Sequence, residues 1–190
     1  MSNSSQVKQG TEPMNTEQAA ESTQTFSLDR IVGALSSRME SGGLTTGNLA
    51  ELRRISPTEP YTPALWRLLI LLELGNAPEW IQQKTWERRW ATLMMGMAYC
   101  NGLHDFHTPL GNALARAGWS ELRFVRLMRA SDDALETQIR HIAQFLASKS
   151  QAANWADMAR LLFYQSGDAG ENIRIAISRN YYQEQYSQNK

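Results

Sequence analysis

Large apolar side chains are nearly absent from residues 1–25 and then recur every three or four positions from Phe26 almost to the C-terminus. That spacing puts them on one face of a 3.6-residue helix, and no period-two alternation competes with it. The first run carries Leu28, Ile31, Val32, Leu35 and Met39, with Ser27 as its N-cap and Gly42-Gly43 as its end. A short helix then runs from about Gly47-Asn48 through Leu49, Leu52 and Ile55. It stops at Pro57 and Pro60, which lack the N–H a helix needs. Thr62-Pro63 pairs a capping hydroxyl with a proline whose missing donor costs nothing in a first turn, predicting a helix over Ala64 to Leu74 closed by Gly75-Asn76.

Pro78 predicts the start of a long helix to about Cys100, with Trp80, Trp86 and Trp90 early and Leu93, Met94, Met97 and Ala98 late. After a loop over Asn101 to Phe106, Thr108-Pro109 repeats the cap-plus-proline signature, and Gly118 ends the short helix it opens. Four more helices are predicted: Ser120 to Arg129, Asp132 to Ser148, Asn154-capped to about Gln165, and Asp168 to Tyr186. The expected fold is an all-α helical bundle, organised as two small bundles packed together over residues 26–106 and 107–190. Residues 1–25, rich in Ser, Gln, Thr and Glu, bury too little to offset the entropy of ordering and are expected to form a disordered tail.

Composition narrows the function classes. The single cysteine, Cys100, cannot close an intramolecular disulfide, and no secretory pattern opens the chain, so a reducing, cytoplasmic setting is expected. The longest apolar run, Leu68 to Leu72, is far short of the roughly 20 residues a membrane span needs, so no membrane partner is expected. Nineteen basic residues balance nineteen acidic ones over the whole chain. Residues 61–130 nevertheless hold eight basic side chains against five acidic, a local excess that a polyanion could use.

No nucleophile elbow, P-loop or dinucleotide fingerprint is present, and no cofactor or enzymatic role is expected. His104, Asp105 and His107 could in principle ligate a divalent metal, but a zinc site wants a third and fourth protein ligand at recognisable spacing. Cys100 and His141 are expected to be a core thiol and a surface imidazole. Trp80, Trp86, Trp90 and Trp119 could stack on bases or anchor a protein partner, but structural packing is the expected role, since Trp86 and Trp90 lie one turn apart and merge into an apolar stripe. Tyr181-Tyr182 fits either role. Arg123, Arg126 and Arg129 recur every third residue between Leu122, Val125 and Met128, which predicts a basic side and a core side to one helix. Such a stripe can grip successive phosphates, or it can pair with Glu121, Asp132, Asp133 or Glu136 as a solvated ion-pair face.

Three ordered blocks add to this reading. Gly47-Asn48-Leu49-Ala50-Glu51-Leu52-Arg53-Arg54, the segment Leu110 to Ala115 followed by Ser120 to Ala130, and Asn154-Trp155-Ala156-Asp157-Met158-Ala159-Arg160-Leu161-Leu162 together resemble the CasB family, the small subunit of the type I-E CRISPR complex Cascade. The resemblance covers about residues 26 to 186. It implies a non-catalytic subunit, present with a second copy of itself, lying along the backbone subunits and meeting the large subunit. It also implies contact with crRNA-paired target DNA and the displaced strand, with guide pairing supplying specificity. Carried over by motif position, the nucleic-acid-binding residues are Arg53, Arg54, Arg123, Arg126, Arg129 and Arg160, with Arg140 as an addition. The competing class is a helical protein–protein adaptor whose arginines serve partner carboxylates.

Overall fold

The computed structural model describes residues 27–40, 42–56, 58–188 and 190. The expected tail 1–25 and the helix stop at Pro57 lie outside the described residues. Within them the chain forms nine helices: α1 Leu28–Glu40, α2 Thr46–Arg54, α3 Pro63–Leu71, α4 Gln83–Tyr99, α5 Leu110–Arg116, α6 Glu121–Arg129, α7 Asp132–Ser148, α8 Trp155–Phe163 and α9 Gly167–Gln188. The described part is all-α, with one isolated bridge between His104 and Ala153 as its only β-type pairing. No described helix is long and apolar enough to cross a membrane.

Several ends form as the local chemistry dictates. Thr62 Oγ1 accepts from Leu65 N at 3.2 Å, and Asn154 Oδ1 accepts from Ala156 N at 2.9 Å, so both caps satisfy donors that a first turn leaves unpaired. Gly118 follows α5 with φ of 80°, a left-handed conformation cheap only for glycine.

Others differ from the sequence expectation. The long helix starts at Gln83, five residues after Pro78, because the Gln83 side chain folds segment 75–82 back on itself. Its amide donates to Gly75 O and its carbonyl accepts from Ala77 N, both at 2.8 Å. α3 ends at Leu71, and the left-handed residue after it is Glu73, with φ of 57°, not Gly75. Thr108 does not cap α5: its hydroxyl donates to Asp105 Oδ2 at 2.6 Å. The first free N–H of α5, Leu110 N, donates instead to Asp157 Oδ2 of α8 at 3.0 Å. A tertiary carboxylate does the capping there.

α4 runs through the middle of the core, packed by α2, α7 and α8, and α1 also lies on α8. Trp86 and Trp90 are buried and meet edge to face at 5.4 Å, as their one-turn spacing foretold. Trp86 also donates its indole N–H to Leu74 O at 2.7 Å, so its polar atom is satisfied where its rings displace water. Gly96 admits the Trp155 ring, since a Cβ there would lie 2.6 Å from Trp155 Cζ3. α5 crosses α9 just as closely at Gly111. On the far side of that crossing, Tyr181 stacks on Phe124 at 3.9 Å and donates its hydroxyl to Trp119 O at 2.5 Å, anchoring α6 to α9.

Candidate nucleic-acid interface

α6 buries Phe124 and Leu127, and Ala130 follows them inward. This corrects the expected core side: Leu122 is 72% exposed and Val125 and Met128 are only half-buried. The helix carries two apolar rows, and the stack of Phe124 on Tyr181 decides which one turns inward. Arg123, Arg126 and Arg129 are all exposed. The Arg123 guanidinium lies 5.3 Å from the centre of the Trp119 ring, a cation–π contact.

Three of the four acidic residues that could have neutralised this row are engaged elsewhere, and the Asp132 carboxylate, exposed at the start of α7, forms no ion pair with it. Asp133 and Glu136 bind Arg88 at 2.6 and 2.8 Å, and Glu121 accepts from the Tyr182 hydroxyl at 3.0 Å. Burial raises the Glu136 pKa against the pull of Arg88, while its hydrogen bond to Arg88 raises that of the guanidinium. Neither Arg126 nor Arg129 forms an ion pair or hydrogen bond among the described residues. Two charged forks therefore stand free at one edge.

Arg129 separates two depressions. A groove of about 420 Å³ between α6 and α7 is lined by Leu122, Val125, Arg126, Arg129, Ala134 and Gln138. A cleft of about 830 Å³ lies between the end of α6 and α9, with Arg129, Arg174, Ile175, Arg179 and Tyr182 in its wall. Arg174 holds that wall in place. Its Nε donates to Met128 O at 3.1 Å and Nη2 to Ala130 O at 3.2 Å, satisfying carbonyls left over at the end of α6, and Nη1 donates to Gln165 O, just beyond α8, at 2.9 Å.

The other expected arginines sit apart from this row. Arg53 Nε donates to Ala98 O at 2.8 Å and Arg140 donates to Ile55 O, so both fasten the C-terminal end of α2 to its neighbours. Arg54, beside them, is exposed and its side chain forms no ion pair or hydrogen bond among the described residues. Arg160 bridges Asp29 at 2.5 Å and Asp157 at 2.9 Å, tying α1 to α8. The structure thus brings the expected arginines together in two groups, the α6 trio and Arg53, Arg54 and Arg140 at the end of α2, and sets Arg160 apart on α8. Sequence reasoning passed over Arg174 and Arg179, whose spacing with Ile175 and Tyr182 marks one face of α9.

The histidine loop is engaged in folding contacts. His104 Nδ1 accepts from Trp155 N at 3.3 Å, and burial lowers its pKa. The Asp105 carboxylate accepts from Thr108 Oγ1 and from His107 N at 2.9 Å, bonds that hold its pKa below the ordinary value. Among the described residues no three His, Cys, Asp or Glu side chains gather to hold a metal ion. Cys100 is buried, and desolvation pushes its thiol up to about 12, far from a nucleophile's range.

Fold and surface define the class as an all-α protein that exposes two unpaired arginines, Arg126 and Arg129, on one short helix. Residues 48–182 match the model of the CRISPR-associated protein Cse2 family, and the chain belongs to that family. No curated protein matches it. Among solved structures it is similar to a chain of E. coli Cascade bound to a PAM-containing dsDNA target, at 22% identity and a TM-score of 0.63 over 82% of this chain and 96% of that one. CasB from Thermobifida fusca is similar at 18% identity and a TM-score of 0.60, covering 82% of this chain and 95% of its own. CasB from Thermus thermophilus gives 17% identity and a TM-score of 0.63, covering 82% and 97% respectively. At these identities the likeness is one of fold.

Proposed function

We propose that this chain is the small subunit of a type I-E CRISPR Cascade surveillance complex. In this reading it binds the nucleic-acid backbone through arginines and stabilises the crRNA-guided R-loop in antiviral defence, without a catalytic step of its own. Its partners are the backbone subunits, the large subunit, a second copy of itself, and the target and displaced DNA strands. The observation that carries the reading is the pair Arg126 and Arg129, exposed on α6 while Asp133 and Glu136 are held by Arg88. Unpaired guanidinium forks suit phosphate oxygens, and such contacts supply affinity that does not depend on base sequence. Arg54 and Arg123 extend the same chemistry. Arg53, Arg140 and Arg160 act in this reading by holding the scaffold.

A second reading, a protein–protein adaptor, draws on α3, where Trp66, Ile70 and Leu71 are 39%, 73% and 53% exposed. One experiment separates the two. Arg126→Ala with Arg129→Ala is assembled with the companion Cascade subunits, and both assembly and target-DNA affinity are measured. The nucleic-acid reading requires intact assembly and an affinity loss of roughly tenfold or more at moderate salt. Lost assembly would favour the adaptor.

A further inference from the structure

The cleft between α6 and α9 is larger than phosphate contact alone requires, and its walls are chemically divided. Ile175 and Tyr182, 47% and 43% exposed, lie two turns apart on one face of α9, with Arg179 between them. The Tyr182 ring meets Tyr181 at 86° and Phe124 at 83°, so neither ring lies parallel on it. Its hydroxyl is tethered to Glu121 at 3.0 Å, which fixes the ring's position. The free cations are Arg129 and Arg179, because the donors of Arg174 are taken by backbone carbonyls.

Acidic residues Asp168 and Glu171 line the same cleft, and Glu171 precedes Arg179 by two turns, about 12 Å along the helix. They disfavour an anion at the N-terminal end of α9 and confine it to the Arg129 and Arg179 side. The Tyr182 ring lies on that side.

We propose that this cleft receives one unpaired nucleotide of single-stranded DNA, its base stacked on Tyr182 and its phosphate held between Arg129 and Arg179. The cleft is open to solvent, and its volume, about 830 Å³, leaves room for one nucleotide to lie along its wall. A duplex keeps its base faces covered, whereas every base of a single strand has a free π-face for an aromatic platform. The cleft is therefore the feature that prefers an open strand to a closed one, and this rests on the nucleic-acid reading of α6.

The test uses the full chain with fluorescent oligo-dT, an abasic oligomer of equal length, oligo-rU, and a duplex, measured by anisotropy. Tyr182→Leu should weaken oligo-dT binding by about 5- to 150-fold, the span of one lost base–aromatic stack, and leave the abasic oligomer and duplex unchanged. Tyr182→Phe, which keeps the ring, should retain most of the affinity, and Arg179→Ala should weaken oligo-dT and the abasic oligomer alike. Wild-type affinity in Tyr182→Leu, an equal loss on the abasic oligomer, or tighter binding of oligo-rU than oligo-dT would overturn the proposal. If Arg126→Ala with Arg129→Ala binds no more weakly than wild type, the underlying reading fails. If that variant weakens and Tyr182→Leu does not, only the stacking site fails.

Discussion

Replacing Gly111 by alanine should destabilise the protein, because a Cβ there would stand 2.2 Å from Ile177 O, 2.7 Å from Tyr181 N and 2.9 Å from Asn180 Cβ. The first two of those atoms are backbone, so relief requires α5 and α9 to separate. Overpacking of this kind costs about 1–3 kcal/mol, and contacts this short lie at the upper end. Alanine recovers about 1 kcal/mol through helix propensity, which leaves a net loss of about 2 kcal/mol. For a chain of this size that lowers Tm by about 4–8 °C, readable by far-UV circular dichroism. Gly47→Ala is the matched control. Gly47 is exposed in α2, and the only atom near a new Cβ is Thr45 Oγ1 at 3.6 Å, so the same propensity gain should raise Tm by a few degrees. Equal stability of the two variants would refute the close crossing that sets α9 against α6.

Further outcomes follow from single contacts. Arg160→Ala removes both partly exposed ion pairs to Asp29 and Asp157 and should cost about 1–2 kcal/mol, measured by urea unfolding, with no change in DNA binding. Burial lowers the His104 pKa below its ordinary 6.5. The unfolded chain takes up the proton more readily, and stability should fall as pH drops through about 6.5. His104→Asn should lose that part of the pH dependence in unfolding curves at pH 7 and pH 5. Cys100, buried and with its thiol pushed up to about 12, should resist an aromatic disulfide reagent until denaturant unfolds the chain.

Helix number and order were legible because a 3.6-residue apolar period and local caps such as Thr62 and Asn154 are written within a few residues of each other. What escaped the sequence depends on partners far along the chain. Thr108 has the composition of a cap, yet Asp157, 47 residues away, takes the donor it was expected to satisfy. The two apolar rows of α6 are equally good helix faces until Tyr181 of α9 selects Phe124. Arg53, Arg140 and Arg160 look like Arg126 in a sequence, and only the fold reveals that backbone carbonyls and carboxylates hold them. The fold therefore divides the expected arginines into those with partners inside the protein and those without. Arg179 lines the cleft beside α6 without having been singled out, because nothing local distinguishes an arginine facing a cleft from one facing bulk water.

The central claim, that Arg126 and Arg129 contact phosphates, is tested most directly by the salt dependence of DNA binding. The slope of log affinity against log salt is measured for the wild-type chain and for Arg126→Ala with Arg129→Ala, on single-stranded and duplex DNA. Two lost phosphate contacts should lower the magnitude of the slope by about 1.4 on single strands and about 1.8 on duplex. Lysine at both positions should restore most of it, since the slope counts charges and not forks. An unchanged slope in the alanine variant, with folding intact, would contradict the account.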